Sequence, residues 1–318
     1  MNIRRQSDKV VTRTMLDRLA EWRKLLEECR HKPTRKRVHA LRVVTLRLQA
    51  EFEHDLAELP HASHQAQAIL RFGKQAEKLR GALGPVRELD VWIGKLRGLH
   101  TSLSRCGEYV PRSTHESVRG IERLEDRIKR KRRSAEKKLV AEIEKRGERL
   151  VKAAEEIEAA LAEYVFGKES GIAEELIASF RAVRAEFPSL DEANLHEFRK
   201  RIKTVRYLAE MRAAVDPAIG QIATQMKKLQ SAIGEWHDWQ ALAQEARGGH
   251  HAKSKALAEL LETVARESFE TALSTVNGVT GRLLGEGKSQ DEASQLTASK
   301  LPARSDHGLV AQLDKKLA

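Results

Sequence analysis

The sequence's most chemically loaded stretch is LHEFRKRIKTVRYL, beginning at Leu195. Winding it as an α-helix at about 100° per residue and setting His196 to zero puts Arg199 near −60°, Lys203 near −20° and Arg206 near −80°. Four groups able to hold an anion therefore share one stripe about 80° wide, and Tyr207 falls beside it near +20°. Phe198, Ile202 and Val205 lie on the opposite face, so the helix has an apolar back and a cationic front. Such a row costs energy, because like charges at i,i+4 destabilise a helix by a few tenths of a kcal/mol each. An ordinary solvated helix interleaves Glu with Lys. A row left unneutralised implies a counter-charge from outside, or carboxylates brought in on another helix. Histidines inside such a row titrate with their surroundings: nearby cations lower the pKa and a bound polyanion raises it.

The pattern occurs twice. VHALRVVTLRLQ from Val38 aligns His39 and Arg42 on one face, with Arg35 one turn earlier and Leu41, Val44 and Leu48 facing a core. No acidic residue occurs between Thr34 and Ala50, while Arg35, Lys36, Arg37, Arg42 and Arg47 are basic. The positions that match Lys203 and Arg206 are Leu46 and Gln49. His39 and His196 are 157 positions apart. LRGALG from Leu79 and LQSAIG from Leu229 follow in the same order, 150 positions apart. Two ordered matches argue for a duplicated helical unit.

The elements that position these stripes are helical throughout. Seven prolines in 318 residues leave room for long helices, and apolar residues recur at spacings of three and four. The chain reads as all-α. A first helix runs from Ser7 to about Arg30, with Val11, Leu16, Leu19, Leu25 and Leu26 inside. Thr34 caps a second that ends near Leu59. A third spans about His64 to Leu83, Gly84-Pro85 breaks it, and a fourth runs from Val86 to about Leu103. These four form one antiparallel unit over residues 1–106. A basic helical connector covers 107–167, as one long helix or a hairpin, with Ile121, Leu124, Ile128, Leu139, Ile143, Leu150, Ile157 and Leu161 keeping a helical beat. Its cationic run, RIKRKRRSAEKK from Arg127, reads first as a solvated face and second as another anion-binding surface. A second four-helix half covers 168–277. Residues 278–318 form a tail with a flexible connector at Glu286–Asp306 and a short helix at Leu309–Leu317.

Composition narrows the function classes. There are 58 Lys+Arg against 46 Asp+Glu, a formal charge of +12, which points to an anionic partner. Aromatic residues are 4%, which argues against base stacking on single-stranded nucleic acid. No apolar run reaches the roughly 18 residues of a membrane span, and MNIRRQSDKVVTR lacks the apolar core of a signal peptide. Cys29 and Cys106 make no disulfide or zinc pattern and suit a reducing cytoplasm. Gly248-Gly249-His250-His251 lacks a third ligand at metal-binding spacing. There is no P-loop, zinc-protease motif or nucleophile elbow. Glu88, Asp90 and Asp238, near the Gly84 and Gly234 turns, can cap helices or orient arginines. No pair of carboxylates stands out as catalytic.

His39-x-x-Arg42 with Arg47, followed by Leu83-Gly84-Pro85-Val86-Arg87-Glu88-Leu89-Asp90, resembles the first half of the CHAD family of histidine-containing α-helical domains. His196-x-x-Arg199-x-x-x-Lys203-x-x-Arg206-Tyr207, followed by Leu229-Gln230-x-x-Ile233-Gly234-x-x-His237-Asp238, resembles its second half. The likeness covers about residues 8–275. This chain departs at Leu46 and Gln49, where the family usually places further basic residues. The resemblance implies two pseudo-twofold-related four-helix bundles, here with a long helical insertion between them, and a basic groove or pore. It implies non-catalytic binding of inorganic polyphosphate, with no cofactor, and association with polyphosphate granules. A general polyanion or nucleic-acid binder is the alternative, and an enzyme acting on polyphosphate a third reading. The residues expected to hold polyphosphate are His39, Arg42, Arg47, Lys74, Lys78 and Arg87 from the first half. From the second they are His196, Arg199, Lys203, Arg206, Lys228 and His237. Arginine offers forked donors to phosphate oxygens and lysine a mobile point charge.

Overall fold

The computed structural model describes residues 2–60, 63–105, 112–161, 171–213, 216–248 and 255–285. Among these residues every regular element is an α-helix: α1 (Asn2–His31), α2 (Arg35–Glu58), α3 (His64–Arg105), α4 (Arg112–Leu161), α5 (Ile172–Glu186), α6 (Leu195–Arg212), α7 (Pro217–Arg247) and α8 (Lys255–Leu284). The expected tail elements at Glu286–Asp306 and Leu309–Leu317, and the histidines of the Gly249–His251 segment, lie outside the described residues.

Local chemistry sets the helix starts. Thr34 Oγ1 accepts the backbone N–H of Arg37 at 3.4 Å, which makes it the N-cap of α2. Ser63 does the same for α3, accepting from Ala66 N–H at 3.1 Å. Before α6, Asp191 Oδ1 accepts the N–H groups of Ala193 and Asn194 at 2.9 and 3.0 Å, fixing the turn that leads into His196.

The expected break at Gly84-Pro85 does not occur: α3 continues through Pro85 for 42 residues. Proline removes one backbone donor and crowds the preceding turn, at about 3 kcal/mol in a helix interior. Part of the usual clash is between the proline ring and the Cβ of the residue before it. Gly84 has no Cβ. Leu79, Leu83 and Val86 are all buried at i, i+4 and i+7, so the apolar stripe passes the proline uninterrupted and packing holds the helix on both sides. The helix expected at Val86–Leu103 is thus the end of α3. The connector forms one helix, α4, of 50 residues.

The described residues divide into two compact units. The first is drawn from Met1–Asp90 and Lys131–Gln230, the second from Val91–Arg130 and Ser231–Ala318. The dividing points fall inside α3, α4 and α7.

In the first unit a single core joins α1 (Leu19, Trp22, Leu26), α2 (Leu41, Leu48), α3 (Phe72, Leu79, Leu83) and α4 (Leu139, Ile143, Leu150), and reaches Met211 of α6. Trp22 and Phe52 each meet Phe72 edge-on, with ring centroids 5.2 and 5.4 Å apart. The indole N–H of Trp22 donates to Thr45 Oγ1 at 2.9 Å. On α1 the buried stripe is Met15, Leu19, Trp22, Leu26 and Cys29. Leu16, expected inside, is instead 37% exposed, because the stripe is centred one residue away. α1 packs on α2, α2 on α6, and α5 on α6.

In the second unit, segments of α3, α4 and α7 join α8. Trp236 of α7 is fully enclosed and packs on Phe269 of α8 at 5.5 Å. Ion pairs link its helices: Arg97 with Glu125 at 2.9 Å, Arg127 with Glu245 at 3.0 Å, Lys95 with Glu235, and Arg247 with Glu262.

Candidate functional site

The cations of the two repeated helices meet within the first unit, where α2 packs on α6. Phe198, Ile202 and Val205 are buried, which fixes the rotation of α6 and turns Arg199, Lys203 and Arg206 away from the core. On α2, buried Leu41, Val44 and Leu48 do the same for Arg42. α3 adds Arg87 and Arg80.

The electrostatics show how closely these groups gather. Partial burial holds the Lys203 ammonium down to about 7, and Arg199, Arg42, Arg80 and Lys200 push in the same direction. Burial disfavours the charge on Arg42 as well, with Arg80, Arg199 and Arg87 adding repulsion against the favourable Tyr207 phenol. Partial burial, then Arg87, Arg35, Arg42 and Arg206, lower His39 below its ordinary value. His196 is lowered by burial and by Lys200, Arg199 and Lys203, with Glu197 opposing. The leading charges that shift Lys203, Arg42 and His39 are cations, with the Tyr207 phenol beside Arg42. Arg42 and Lys203 form no ion pair with a described residue, and the Nε of Arg80 is buried without a hydrogen-bond partner.

His39 and Arg87 touch directly: Arg87 Nε–H donates to His39 Nδ1 at 3.1 Å. The imidazole accepts there, so in this arrangement it is neutral with its proton on Nε2. Gly84 lies on the same turn as Arg87, and a Cβ built on it would sit 3.9 Å from Arg42 Nη1. Glycine here leaves the Arg42 guanidinium free to lie along α3, and a longer side chain would crowd it.

Glu210 buttresses the edge of the cluster. Arg206 Nε donates to its Oε1 at 2.8 Å, and Arg47 Nε to its Oε2 at 2.9 Å. Burial works against the Glu210 charge, but Arg206 and then Arg47 more than offset it and hold the carboxyl below its usual range. Arg206 also donates to Gln230 Oε1 at 2.5 Å and lies 5.1 Å from the Tyr207 ring centroid. Arg47 and Arg206 are therefore fixed in place with half their charge answered.

Lys74, Lys78 and Lys228 stand apart. All three are exposed, and none appears among the charges felt by the cluster. Lys78 is nine residues from Arg87, about half a turn round α3. Lys74 borders a cavity of about 400 Å³ lined by Gln49, Phe52, Glu53, Phe72 and the cluster's own Arg80. His237 belongs to the second unit, its ring centroid 6.4 Å from that of Trp236. Gln49, at one of the positions where the second copy is basic, is buried and donates to the Gly73 carbonyl at 3.4 Å. It joins α2 to α3 instead of extending the stripe.

Sequence reading missed Arg80 and Glu210. The signal for Arg80 is its seven-residue spacing from Arg87, two helical turns. A break at Gly84-Pro85 hides it by placing the two arginines on different helices. Glu210 is four residues past Arg206, a pairing distance on any helix. Of the carboxylates expected to orient arginines, buried Asp90 accepts from Arg132 Nε at 3.0 Å. Three cations of the basic run meet carboxylates: Arg127 pairs with Glu245, Lys129 with Glu125 at 3.0 Å, and Arg132 with Asp90 and Glu136 while also donating to the Pro33 carbonyl at 2.7 Å.

Among the described residues no three His, Cys, Asp or Glu side chains converge as a metal-binding group, and no helix is long and apolar enough to cross a membrane. A search of curated proteins returns no match. A family model described as the CHAD domain matches residues 13–247, so the chain carrying this cationic cluster belongs to the CHAD family.

Proposed function

We propose that the cluster on α2, α3 and α6 binds inorganic polyphosphate without transforming it. The observation that carries this reading is a set of partly buried cations from three helices: the leading charged neighbours of Arg42 and Lys203 are cations, Arg80 among them. Folding such groups together is unfavourable unless a polyanion completes the site. A linear phosphate polymer supplies a row of negative charge with no base edges to read, which fixed guanidinium forks and one ammonium match. Family membership supports the same ligand. Arg42, Arg80, Arg87, Arg199 and Lys203 make the central contacts, with His39 and His196 at the rim and Arg47 and Arg206 held by Glu210. The role is that of a receptor in the cytoplasm or on polyphosphate granules.

The repeat supports a duplication in which α1–α4 correspond to α5–α8, with His39 on α2 matching His196 on α6. In that scheme α4 is the fourth helix of the first half. Nucleic acid is the competing ligand, favoured by net charge and by the cations of the basic run beyond the paired Arg127, Lys129 and Arg132.

Calorimetric titration with long-chain polyphosphate over a salt series tests the reading, with RNA as competitor. By analogy with single-stranded nucleic acid, the log–log salt slope is expected at about −0.7 per phosphate neutralised. Displacement by RNA at equal phosphate concentration would reduce the cluster to a general polyanion surface. Shortening of the polymer by the purified chain would replace a receptor with an enzyme.

A further inference from the structure

The cavity of about 400 Å³ opens between α2 and α3 inside the first unit. Its floor is Gln49, Phe52 and Phe72, each more than nine-tenths buried. Ile69 and Leu70 add apolar walls, and Leu70 is 54% exposed, one of two large apolar side chains so placed among the described residues. Four charged side chains complete the lining: Glu53 from α2, and Lys74, Glu77 and Arg80 from α3. None of the four closes an ion pair with another or with any described residue. Yet Lys74, Glu77 and Arg80 alternate in sign every three residues, a spacing at which Asp126 and Lys129, or Glu197 and Lys200, do pair. Gln49 spends its amide N–H on the Gly73 carbonyl at 3.4 Å, and its Oε1 is buried without a partner. Burial also pushes the Glu53 carboxyl above its usual range, against the pull of Arg80. An unanswered buried acceptor and unclosed charges of both signs are costly unless a ligand meets them.

The balance of two carboxylates against two cations selects the occupant. A phosphate polymer would meet Glu53 and Glu77, and a metal ion would meet Lys74 and Arg80, so each is repelled. A fatty acid answers the cations but leaves Gln49 and both carboxylates open. A zwitterion with an apolar body answers the acceptors, the cations and the apolar surface together. The volume lies at the small end of the roughly 300–1,000 Å³ of ligand pockets, which limits the occupant to a small molecule. We propose that this cavity is a binding site for a free α-amino acid with a large apolar side chain. Glu53, Glu77 and Gln49 Oε1 take its ammonium, Arg80 and Lys74 its carboxylate, and Phe52, Ile69 and Leu70 its side chain. Arg80 belongs to both this cavity and the cationic cluster. If the cluster binds polyphosphate as proposed above, amino acid and polymer share Arg80, and each is expected to weaken the other. Binding of the amino acid itself does not depend on that reading.

The test titrates the full chain with L-leucine and with L-phenylalanine by calorimetry, without polyphosphate. Saturable binding of at least one is expected. Isopentylamine is leucine without its carboxylate, and isocaproate is leucine without its ammonium. Each should bind about tenfold more weakly than leucine, because each gives up one set of charge-assisted contacts, and glycine should not bind. Phenethylamine and hydrocinnamate make the same comparison for phenylalanine. This series needs no variant. Glu53→Gln should then weaken leucine about tenfold and leave isocaproate unchanged, whereas Arg80→Gln should weaken both, with circular dichroism confirming that each variant folds. No binding of either amino acid at millimolar concentration would overturn the proposal. So would an analogue that binds as tightly as its parent, or amino-acid binding that neither variant weakens. Repeated with long-chain polyphosphate present, the titration should show weaker leucine binding. A chain that binds leucine but no polyphosphate would overturn the polymer reading and leave this site standing.

Discussion

The second unit and the cationic cluster of the first answer the same problem, an excess of cations, in opposite ways. In the second unit Lys95, Arg97, Arg127 and Arg247 each meet a carboxylate on a neighbouring helix, at Glu235, Glu125, Glu245 and Glu262. In the cluster of the first, Arg42 and Lys203 meet other cations, Arg80 among them. Both regions are rich in Lys and Arg, so charge density does not distinguish them. The distinction is whether the protein supplies the counter-charge itself. Cross-helix pairs hold an assembly together, whereas a cluster without them reserves its electrostatic energy for a ligand. The basic run of α4 is the densest in the sequence, and its Arg127, Lys129 and Arg132 are answered by carboxylates of the protein. The sparser stripe on α6 is the better candidate site.

The largest expected effect separates the two behaviours. Arg42→Glu with Arg199→Glu should lower polyphosphate affinity on the order of a thousandfold, since two charge-assisted contacts at about 1.5–3 kcal/mol each are lost and replaced by repulsion. The fold should survive, because the new carboxylates sit among cations. Arg97→Glu with Arg127→Glu changes net charge by the same amount and should leave affinity nearly unaltered at 150 mM salt. Calorimetry with circular dichroism on both double variants decides the matter. Equal losses of affinity would mean that total charge, not the cluster, drives binding.

A second pair of changes contrasts structural ion pairs. Glu51 and Arg212 of the first unit pair at 2.7 Å with side chains 1% and 5% exposed. Glu51→Ala leaves a buried guanidinium without its partner and should cost about 3–5 kcal/mol. Arg97–Glu125 of the second unit pairs at a similar distance, but Arg97 is 64% exposed. Arg97→Ala should cost about 0.2–1 kcal/mol, because water replaces the lost contact and Lys129 still neutralises Glu125. Urea unfolding of both variants measures the difference. Comparable losses would show that the exposed pair is held as rigidly as the buried one.

Much of this contrast was legible in the residues. Helical periodicity gave the apolar backs of α2 and α6, since Leu41, Leu48, Phe198 and Ile202 recur at spacings only one face can satisfy. The cationic fronts followed by subtraction, and the buried positions agree. At Pro85 the local penalty of proline predicts a break, while Leu79, Leu83 and Val86 hold the helix through tertiary packing that the local rule omits. The expected break hides Arg80. The partnership of Glu210 with both Arg47 and Arg206 was half visible: the i,i+4 spacing to Arg206 is in the sequence, but the reach to Arg47, 163 positions away, exists only once α2 packs on α6. Lys74, Lys78 and Lys228 show the converse limit. Their charge alone does not tell a cluster residue from an exposed one.

The smallest expected effect is a fraction of a proton. The folded Lys203 value of about 7 lies below the 10.5 of an unperturbed lysine. Between those values the unfolded chain binds more protons than the folded one, so stability from this residue rises with pH across the window. Its full penalty is present below about 7. His39, also lowered, contributes with the same sign just below 6.5. A bound polyanion reverses the repulsion and restores the charge, so binding near pH 7 should draw in about half a proton at Lys203. The binding enthalpy measured in buffers of different ionisation enthalpy gives this uptake directly. Lys203→Arg should remove the Lys203 share, because arginine stays charged in both states, whereas Lys95→Arg in the second unit should leave the uptake intact. An uptake unchanged by Lys203→Arg would place the titrating group elsewhere, with His39 and His196 next to test. An uptake lost in both variants would erase the electrostatic difference between the two units.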